Sequence, residues 1–300
     1  MKKVLITGGA GFIAPHIAEA CLRKNWNVVC VDIKKVKNKI KNKKIKYLTK
    51  NLLNLSQKDL KNIDFVAHMA FVTNIPSTIK KPISSTYNNI DMTVRFLNMC
   101  TKAKIKKFVF PSTASLYGNN PIPWKEDMPG DPIEPYSWQK LSCEYLCSMW
   151  NTRYNLKTSI FRLYQVYGEN QRNDSAIYKF IKLKQKKKPI TLTGTVYKSS
   201  FKTGIRDFIY VKDIANAFVA NFLSKKTGNG EIINLGTGKM TSMKEVADII
   251  GGKVKFIPKR DYEVDTHKAD MSRSAYLLKW KPKIIFKKWL KNFVKNLDDK

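Results

Sequence analysis

The chain opens on a short apolar run, Lys3-Val-Leu-Ile-Thr7, which stops at glycine and gives way to an amphipathic stretch over 12–24. In Thr7-Gly-Gly-Ala-Gly-Phe-Ile-Ala14, the residues Gly8, Gly11 and Ala14 stand in G-x-x-G-x-x-A order. A turn from buried strand to helix uses such residues for distinct reasons. The first glycine permits the tight reversal, the second lets backbone approach a pyrophosphate, and the small third residue lets helix and strand pack. The pattern alone also fits a plain turn; its place between strand and helix gives it weight. Asn27-Val-Val-Cys-Val-Asp32 follows as a second buried strand, and Asp32 lies 18 residues beyond Ala14. A carboxylate there accepts hydrogen bonds from an adenosine ribose and repels a 2′-phosphate, so NAD is expected over NADP. Lys34 and Lys35, next along the chain, work against that preference.

Further apolar runs at 45–49, 64–69, 107–112 and 157–163 alternate with helical stretches, notably 86–103 and 136–154. Strands alternating with helices imply βαβ units and a parallel sheet, whose strands are near-continuously apolar because both faces are covered. The expected fold class is α/β, a Rossmann-type doubly wound parallel sheet with a smaller C-terminal α/β substrate lobe. After about residue 165 the alternation fades. Helices are expected at 173–185, 211–224 and 241–251, and short strands at 190–193, 231–235 and 254–257. We therefore expect residues 1–165 to form the NAD-binding domain and 166–300 the substrate lobe, with the chain crossing between them. A length of 300 residues suits about two such units.

The formal net charge is +33, from 56 basic and 23 acidic residues, which raises the question of nucleic acid. Only eight of the basic residues are arginines, the side chain favoured for bidentate contacts to bases and phosphates. Lysine is spread along the whole chain, most densely at 34–46, which reads as solvated surface. No specific nucleic-acid partner is expected. No window approaches the roughly 18 uninterrupted apolar residues of a membrane helix. The apolar run after Met1-Lys-Lys ends too soon for a leader peptide, so a cytoplasmic protein is expected. Cys21, Cys30, Cys100, Cys143 and Cys147 form no CxxC pair and are expected as buried thiols in a reducing compartment. His16, His68 and His267 suggest no metal site; His68, ending a strand, is expected to be packed in the core. Trp124, Trp138 and Trp150 are likewise expected in the core.

Tyr136-Ser-Trp-Gln-Lys140 sets a phenol and an ammonium at i, i+4, on one helical face. A phenol of ordinary pKa near 10 is a poor base at neutral pH, and adjacent positive charge lowers that pKa. Upstream, Pro111-Ser-Thr-Ala-Ser-Leu-Tyr-Gly118 ends a strand at the sheet edge where ligands bind in open α/β folds. A hydroxyl there can hold a substrate oxygen while Tyr136 moves the proton.

With these residues in view, the sequence resembles the extended short-chain dehydrogenase/reductases of the NAD-dependent nucleotide-sugar epimerase/dehydratase group. The resemblance runs over nearly the whole chain. It is carried by Thr7–Ala14, by Ser112–Gly118 with Tyr136–Lys140, by Arg162-Leu-Tyr-Gln-Val-Tyr-Gly168, and by Arg206-Asp-Phe-Ile-Tyr-Val-Lys-Asp213. It implies that Thr113 is the catalytic hydroxyl, Tyr136 the general base and acid, and Lys140 the group that binds the nicotinamide ribose and tunes Tyr136. It implies cofactor contacts from Gly8, Gly11, Phe12, Ile13 and Asp32, from Asn51 and Leu52 near the adenine, and from Ala70 in the loop after His68. Asn89 matches an asparagine beneath the active site. Arg206 and Arg260 match arginines that grip the diphosphate, for which a fork of donors is suited. Glu263 matches an acidic residue that holds the nucleotide ribose, and His267 falls near the sugar pocket. Gln165 stands where the group usually has asparagine.

The group's dehydratases carry Asp-Glu after the catalytic hydroxyl, whereas this chain has Ala114-Ser115. A 4,6-dehydratase and the related decarboxylase are therefore disfavoured. The resemblance leaves a nucleotide-sugar 4-epimerase acting through a transient 4-keto sugar as the expected activity. The alternatives are a net 4-keto-sugar reductase or dehydrogenase and, less favoured, a non-catalytic relative. It also implies a homodimer formed through the 86–103 and 136–154 helices. The stretch Thr195–Gly204 reads as an insertion ahead of Arg206.

Overall fold

The computed structural model describes residues 1–300 apart from 172, 174, 198, 199, 299 and 300. Its strands are β1 (Lys3–Thr7), β2 (Asn27–Asp32), β3 (Ile45–Thr49), β4 (Phe65–His68), β5 (Lys107–Thr113), β6 (Thr158–Leu163), β7 (Gln165–Tyr167), β8 (Ile190–Tyr197), β9 (Ser200–Thr203), β10 (Ile205–Tyr210), β11 (Asn229–Leu235), β12 (Met240–Ser242) and β13 (Val254–Pro258). Seven of them form one parallel sheet in the order β11-β6-β5-β4-β1-β2-β3. The chain walks outward from β1 to β3 and then returns to place β4 on the other side of β1. The order therefore reverses between β1 and β4, and a crevice opens there at the carboxyl ends of the strands.

The period-two pattern of the strands fills two cores. Val4, Ile6, Val28 and Cys30 face the helices Ala14–Arg23 and Val211–Leu223. Leu5, Val29, Val31 and Val66 face the helices Met92–Lys102 and Pro135–Tyr154. Phe96, Phe108 and Phe110 are wholly buried in the second core. Each such side chain stabilises the fold by about 1.5–3 kcal/mol relative to exposure.

Two smaller sheets, β12-β10-β7 and β13-β8-β9, lie beyond the main sheet's carboxyl edge. They share a third core built on Tyr167, Phe180, Ile190, Phe208 and Phe286. Helices were expected at 173–185 and 241–251; the structure has Ala176–Gln185 and Met243–Ile250, and residue 174 lies outside the described residues.

Three expectations are corrected. The elements near 211–224 and 231–235 do not belong to the lobe: β11 pairs in parallel with β6, and the helix before it packs on Ala14–Arg23, where Arg23 donates to Asn216 at 3.3 Å. The stretch 86–103 is helical, but it starts earlier and is less regular than expected: helical backbone runs from Pro82–Thr86 through a π-turn over Tyr87–Asp91 into Met92–Lys102. At that turn the Thr93 hydroxyl occupies the Asn89 carbonyl at 2.7 Å, and a side chain entering the backbone ladder widens it locally. Trp138 is 50 % exposed rather than in the core, unlike Trp124 and Trp150. The short strands β7, β9, β10 and β12 and the helix Ser272–Leu278 carry too little pattern to be read ahead of the fold, whereas the helix Phe286–Asp298 carries a clear one, with Phe286, Trp289, Leu290, Phe293, Val294 and Leu297 on one face, and still went unread.

Candidate active site

The glycine turn closes on itself, with the Gly11 amide donating to the Gly8 carbonyl at 2.9 Å. Gly8 has φ +66°, and a Cβ there would lie 2.8 Å from Ala70 N and from the Met69 carbonyl carbon. Only glycine fits where the loop after β4 presses on this turn. The helix Ala14–Arg23 starts from Ile13 with no side-chain cap; Pro15 has no amide hydrogen and the His16 amide donates to the Ile13 carbonyl at 3.1 Å, so of its first turn the Ala14 amide is the one that can serve an anion. Phe12 packs edge-on to His16 with ring centroids 6.0 Å apart. Asp32 turns toward the same place: one carboxylate oxygen accepts from the Ala10 amide at 3.0 Å, the other from Lys34 at 2.8 Å. A pyrophosphate cradle with a carboxylate at the end of β2 fits a dinucleotide with a free ribose diol. Asn51 is exposed and spends its side-chain oxygen capping the turn Leu52–Asn54, through Leu53 N at 2.9 Å. Leu52 is buried in the core below.

The helix carrying Tyr136 and Lys140 begins at Glu134, whose carboxylate accepts from Tyr136 N at 2.6 Å and Ser137 N at 2.9 Å, with Pro135 in the first turn. One turn later Lys140 is buried to 3 % exposure. Its ammonium donates to the Pro111 carbonyl at 2.6 Å. It lies 3.7 Å from the Phe71 ring centroid, 4.5 Å from that of Phe110 and 6.0 Å from that of Tyr136. Burial without a carboxylate in contact pulls its pKa down to about 7. Phe71 also meets Tyr136 edge-on at 6.1 Å.

Thr113 closes β5 next to these groups on the crevice edge. It accepts from Ser115 N and donates to Ser115 Oγ, both at 3.1 Å. Asn89, wholly buried, accepts from Val72 N at 2.8 Å and donates to Gln139 Oε1 at 2.7 Å, joining the loop after β4 to the catalytic helix.

At the other end of the crevice, β10 alternates its side chains across the small sheet. Asp207 faces inward, accepting from Thr237, Gly238 and Ala269 amides at 2.8, 2.8 and 3.1 Å. Arg206 faces the opposite way and donates to the Ile205 and Asp265 carbonyls at 2.9 and 3.1 Å. Its guanidinium rests on Gly204, whose missing Cβ would sit 2.8 Å from Nη1. Glu263 and Asp265 raise the Arg206 pKa, but burial outweighs them and lowers it overall. Arg260 pairs with Glu263 at 2.6 Å, on the rim of a cleft of about 620 Å3 lined by Gly194, Phe201, Phe256 and Pro258. Gln165 stands beside Phe208 in the β7–β10 register. His267 packs on Trp124 with centroids 4.9 Å apart, and burial beside Arg206 keeps it neutral. The insertion over Thr195–Gly204 is the β8–β9 hairpin, of which Lys198 and Ser199 lie outside the described residues.

The structure therefore brings together Gly8, Gly11, Asp32 and Ala70 around the glycine turn, Tyr136 and Lys140 near the end of the strand that carries Thr113, and Arg206, Arg260 and Glu263 in the lobe. Phe71 and Glu134 went unread in the sequence. Glu134 had a signal, an acidic residue directly before proline at a helix start; Phe71 had none. All five cysteines are buried and free, and among the described residues no cluster of His, Cys, Asp and Glu could hold a metal ion. No helix among the described residues is long and apolar enough to cross a membrane.

Residues 4–236 match the model of the NAD dependent epimerase/dehydratase family. The chain is 31 % identical to an uncharacterized UDP-glucose epimerase, YtcB, of Bacillus subtilis, over 97 % of this chain and 96 % of the relative. It is 32 % identical to the UDP-glucuronate 4-epimerase of Thermodesulfobacterium geofontis, over 98 % and 95 %. dTDP-D-glucose 4,6-dehydratases stand among the relatives as well. Among solved structures, the UDP-glucuronic acid 4-epimerase of Bacillus cereus in complex with UDP-glucuronic acid and NAD superposes with a TM-score of 0.88 at 29 % identity, over 98 % of this chain and 99 % of that one. The chain is an enzyme of the NAD dependent epimerase/dehydratase family.

Proposed function

We propose that the enzyme is a nucleotide-sugar 4-epimerase that works through a transient 4-keto sugar. The observation that carries this reading is the buried Lys140 one helical turn from Tyr136, its ammonium held on the Pro111 carbonyl of the strand that ends in Thr113, with Ala114-Ser115 where an elimination would need a carboxylic acid and a base. The residues of the glycine turn and Asp32 hold the dinucleotide, and the backbone of that turn lies against its pyrophosphate. When bound, NAD supplies reversible hydride exchange at C-4. Tyr136 takes the proton from O4 and later returns it, and Thr113 holds that oxygen by a hydrogen bond as its charge changes. Lys140 lowers the phenol's pKa by its charge. Arg206 and Arg260 bind the diphosphate, Glu263 the nucleotide ribose, and Gln165 lines the path between. The crevice lies between the NAD-binding domain, 1–165 with 211–235 added, and the lobe formed by the rest.

The working unit is a homodimer. Ile83 and Tyr87 on one helical segment and Trp138 and Tyr145 on the catalytic helix are 50–76 % exposed, an apolar face suited to a second copy. The buried free thiols support a cytoplasmic setting.

Incubation with a panel of UDP-, GDP-, CDP- and dTDP-sugars tests the reaction. We expect the C-4 epimer of one sugar by NMR, with no accumulation of reduced cofactor absorbance. Net reduced or oxidised sugar would make the enzyme a reductase or dehydrogenase, and loss of water would make it a dehydratase.

A further inference from the structure

His68 ends β4 at the crevice, wholly buried, with its ring 5.1, 5.6 and 6.2 Å from the rings of Phe96, Phe108 and Phe110. The imidazole is nonetheless bonded at both nitrogens. Nδ1 is 3.0 Å from Thr7 Oγ1, and Nε2 is 3.4 Å from Thr93 Oγ1. The neighbours of these two hydroxyls decide which nitrogen carries the hydrogen. Thr93 donates its hydroxyl hydrogen to the Asn89 carbonyl at 2.7 Å, so toward His68 it can only accept. Nε2 must therefore be N–H. Thr7 Oγ1 accepts from the Ala70 amide at 3.0 Å, which leaves its own hydrogen for Nδ1. Each of these groups is then paired, and the opposite tautomer would set the lone pairs of Nε2 and Thr93 against each other. Burial with the Lys140 charge nearby lowers the imidazole pKa to about 3, so it is neutral at working pH.

The chain of bonds continues on both sides. Thr7 grips the loop after β4 at Ala70, and Asn89 grips it at Val72 through the amide at 2.8 Å and the carbonyl at 3.2 Å. Between those two holds sits Phe71, the ring that packs on both Lys140 and Tyr136. Asn89 in turn donates to Gln139, the residue before Lys140.

We propose that His68 is a positioning residue: its neutral, Nε2-protonated imidazole links Thr7 to Thr93 and so fixes the loop that holds Phe71 against Tyr136 and Lys140. Its kinetic consequence rests on the epimerase reading; its tautomer does not. The first arm of the test is nitrogen NMR of the holoenzyme labelled at histidine, with the His68 signals identified by their loss in His68→Phe. The expected result is a protonated Nε2 and an unprotonated Nδ1 that do not titrate across neutral pH. A hydrogen on Nδ1, or an imidazole that protonates in that range, overturns the proposal even if no sugar turns over. Should His68→Phe fail to fold, Thr7→Val and Thr93→Val identify the same signals by their perturbation. The second arm is Thr93→Val, which keeps the shape and removes the acceptor. With the epimerised sugar we expect kcat to fall by about tenfold to a hundredfold while KM stays within about twofold, as a displaced catalytic pair requires. A kcat within about twofold of the parent enzyme, or a KM that moves as far as kcat, refutes it.

Discussion

At the cofactor end of the crevice the geometry is made of backbone. Gly8 has no room for a side chain, the Gly11 amide closes the turn, and the Asp32 carboxylate is spent on two amides. At the proposed substrate end it is made of side chains, on β10 and on the turn after β13. There Arg260 and Glu263 form a pair on the rim, and Arg206 leans on the Ile205 carbonyl of its own strand and on the Asp265 carbonyl of a neighbouring loop. Backbone geometry resists substitution because any new atom collides. An exposed ion pair yields easily, and such pairs contribute about 0–1 kcal/mol to stability. One end is thus built for a constant ligand, and the other can be retuned at little cost to the fold.

Between the two ends stands the chemistry, where the largest effect is expected. Tyr136→Phe should lower kcat by about 10²–10⁴-fold while the protein keeps its cofactor, measured by turnover and by the NAD released on denaturation. Parental turnover in that variant would remove the assigned base. Gly8→Ala should come next. It forces a Cβ to 2.8 Å from the backbone of Met69 and Ala70 at φ +66°. We expect a loss of about 1–3 kcal/mol in denaturant unfolding together with weaker NAD binding. A stable variant that binds NAD normally would show that the cofactor end is as yielding as the substrate end.

Lys140→Met probes the middle through pH. The lysine's pKa is about 7 in the fold and near 10.4 in an unfolded chain. Between those values the unfolded state binds more protons, so the parent protein gains stability as pH rises from 7 toward 10, and below 7 the full penalty of a buried charge applies. The methionine variant should therefore gain more in Tm over the parent at pH 6 than at pH 9. An equal gain at both would contradict the lowered pKa. The smallest effect on the fold is expected from Arg260→Ala. Its Tm should shift by no more than about 1 kcal/mol implies, while KM for the nucleotide sugar rises about tenfold. A large loss of Tm with an unchanged KM would reverse the roles given to the two ends.

The same division explains what could be read from residues alone. The inner strands of the main sheet announce themselves because both faces are covered, and the glycine turn because steric demands on three positions leave few residue choices. Tyr136 and Lys140 are visible as a helical pair, but the depth of Lys140 is not, since most lysines of this chain lie at the surface and only Lys107 among the described residues is comparably buried. The placement of β11 escaped because a seven-residue strand looks the same in either sheet; only its partner β6 decides. The π-turn inside the 86–103 helical stretch escaped for a similar reason: Asn89 within it bonds residues 17 and 50 positions away, contacts that no local pattern encodes. Trp138 was misjudged because hydrophobicity marks a residue as needing cover without saying whether its own chain supplies it.

The return of β11 to the flank of β6 bears on how such an enzyme is made and remade. During synthesis the edge of β6 waits for residues 229–235 before it gains its outer neighbour, so the sheet completes only after the first part of the lobe has been made. A graft meant to exchange sugar preference between relatives must therefore spare 211–235 and replace the pieces on either side, because a single cut near 165 would carry away a wall of the nucleotide-binding sheet.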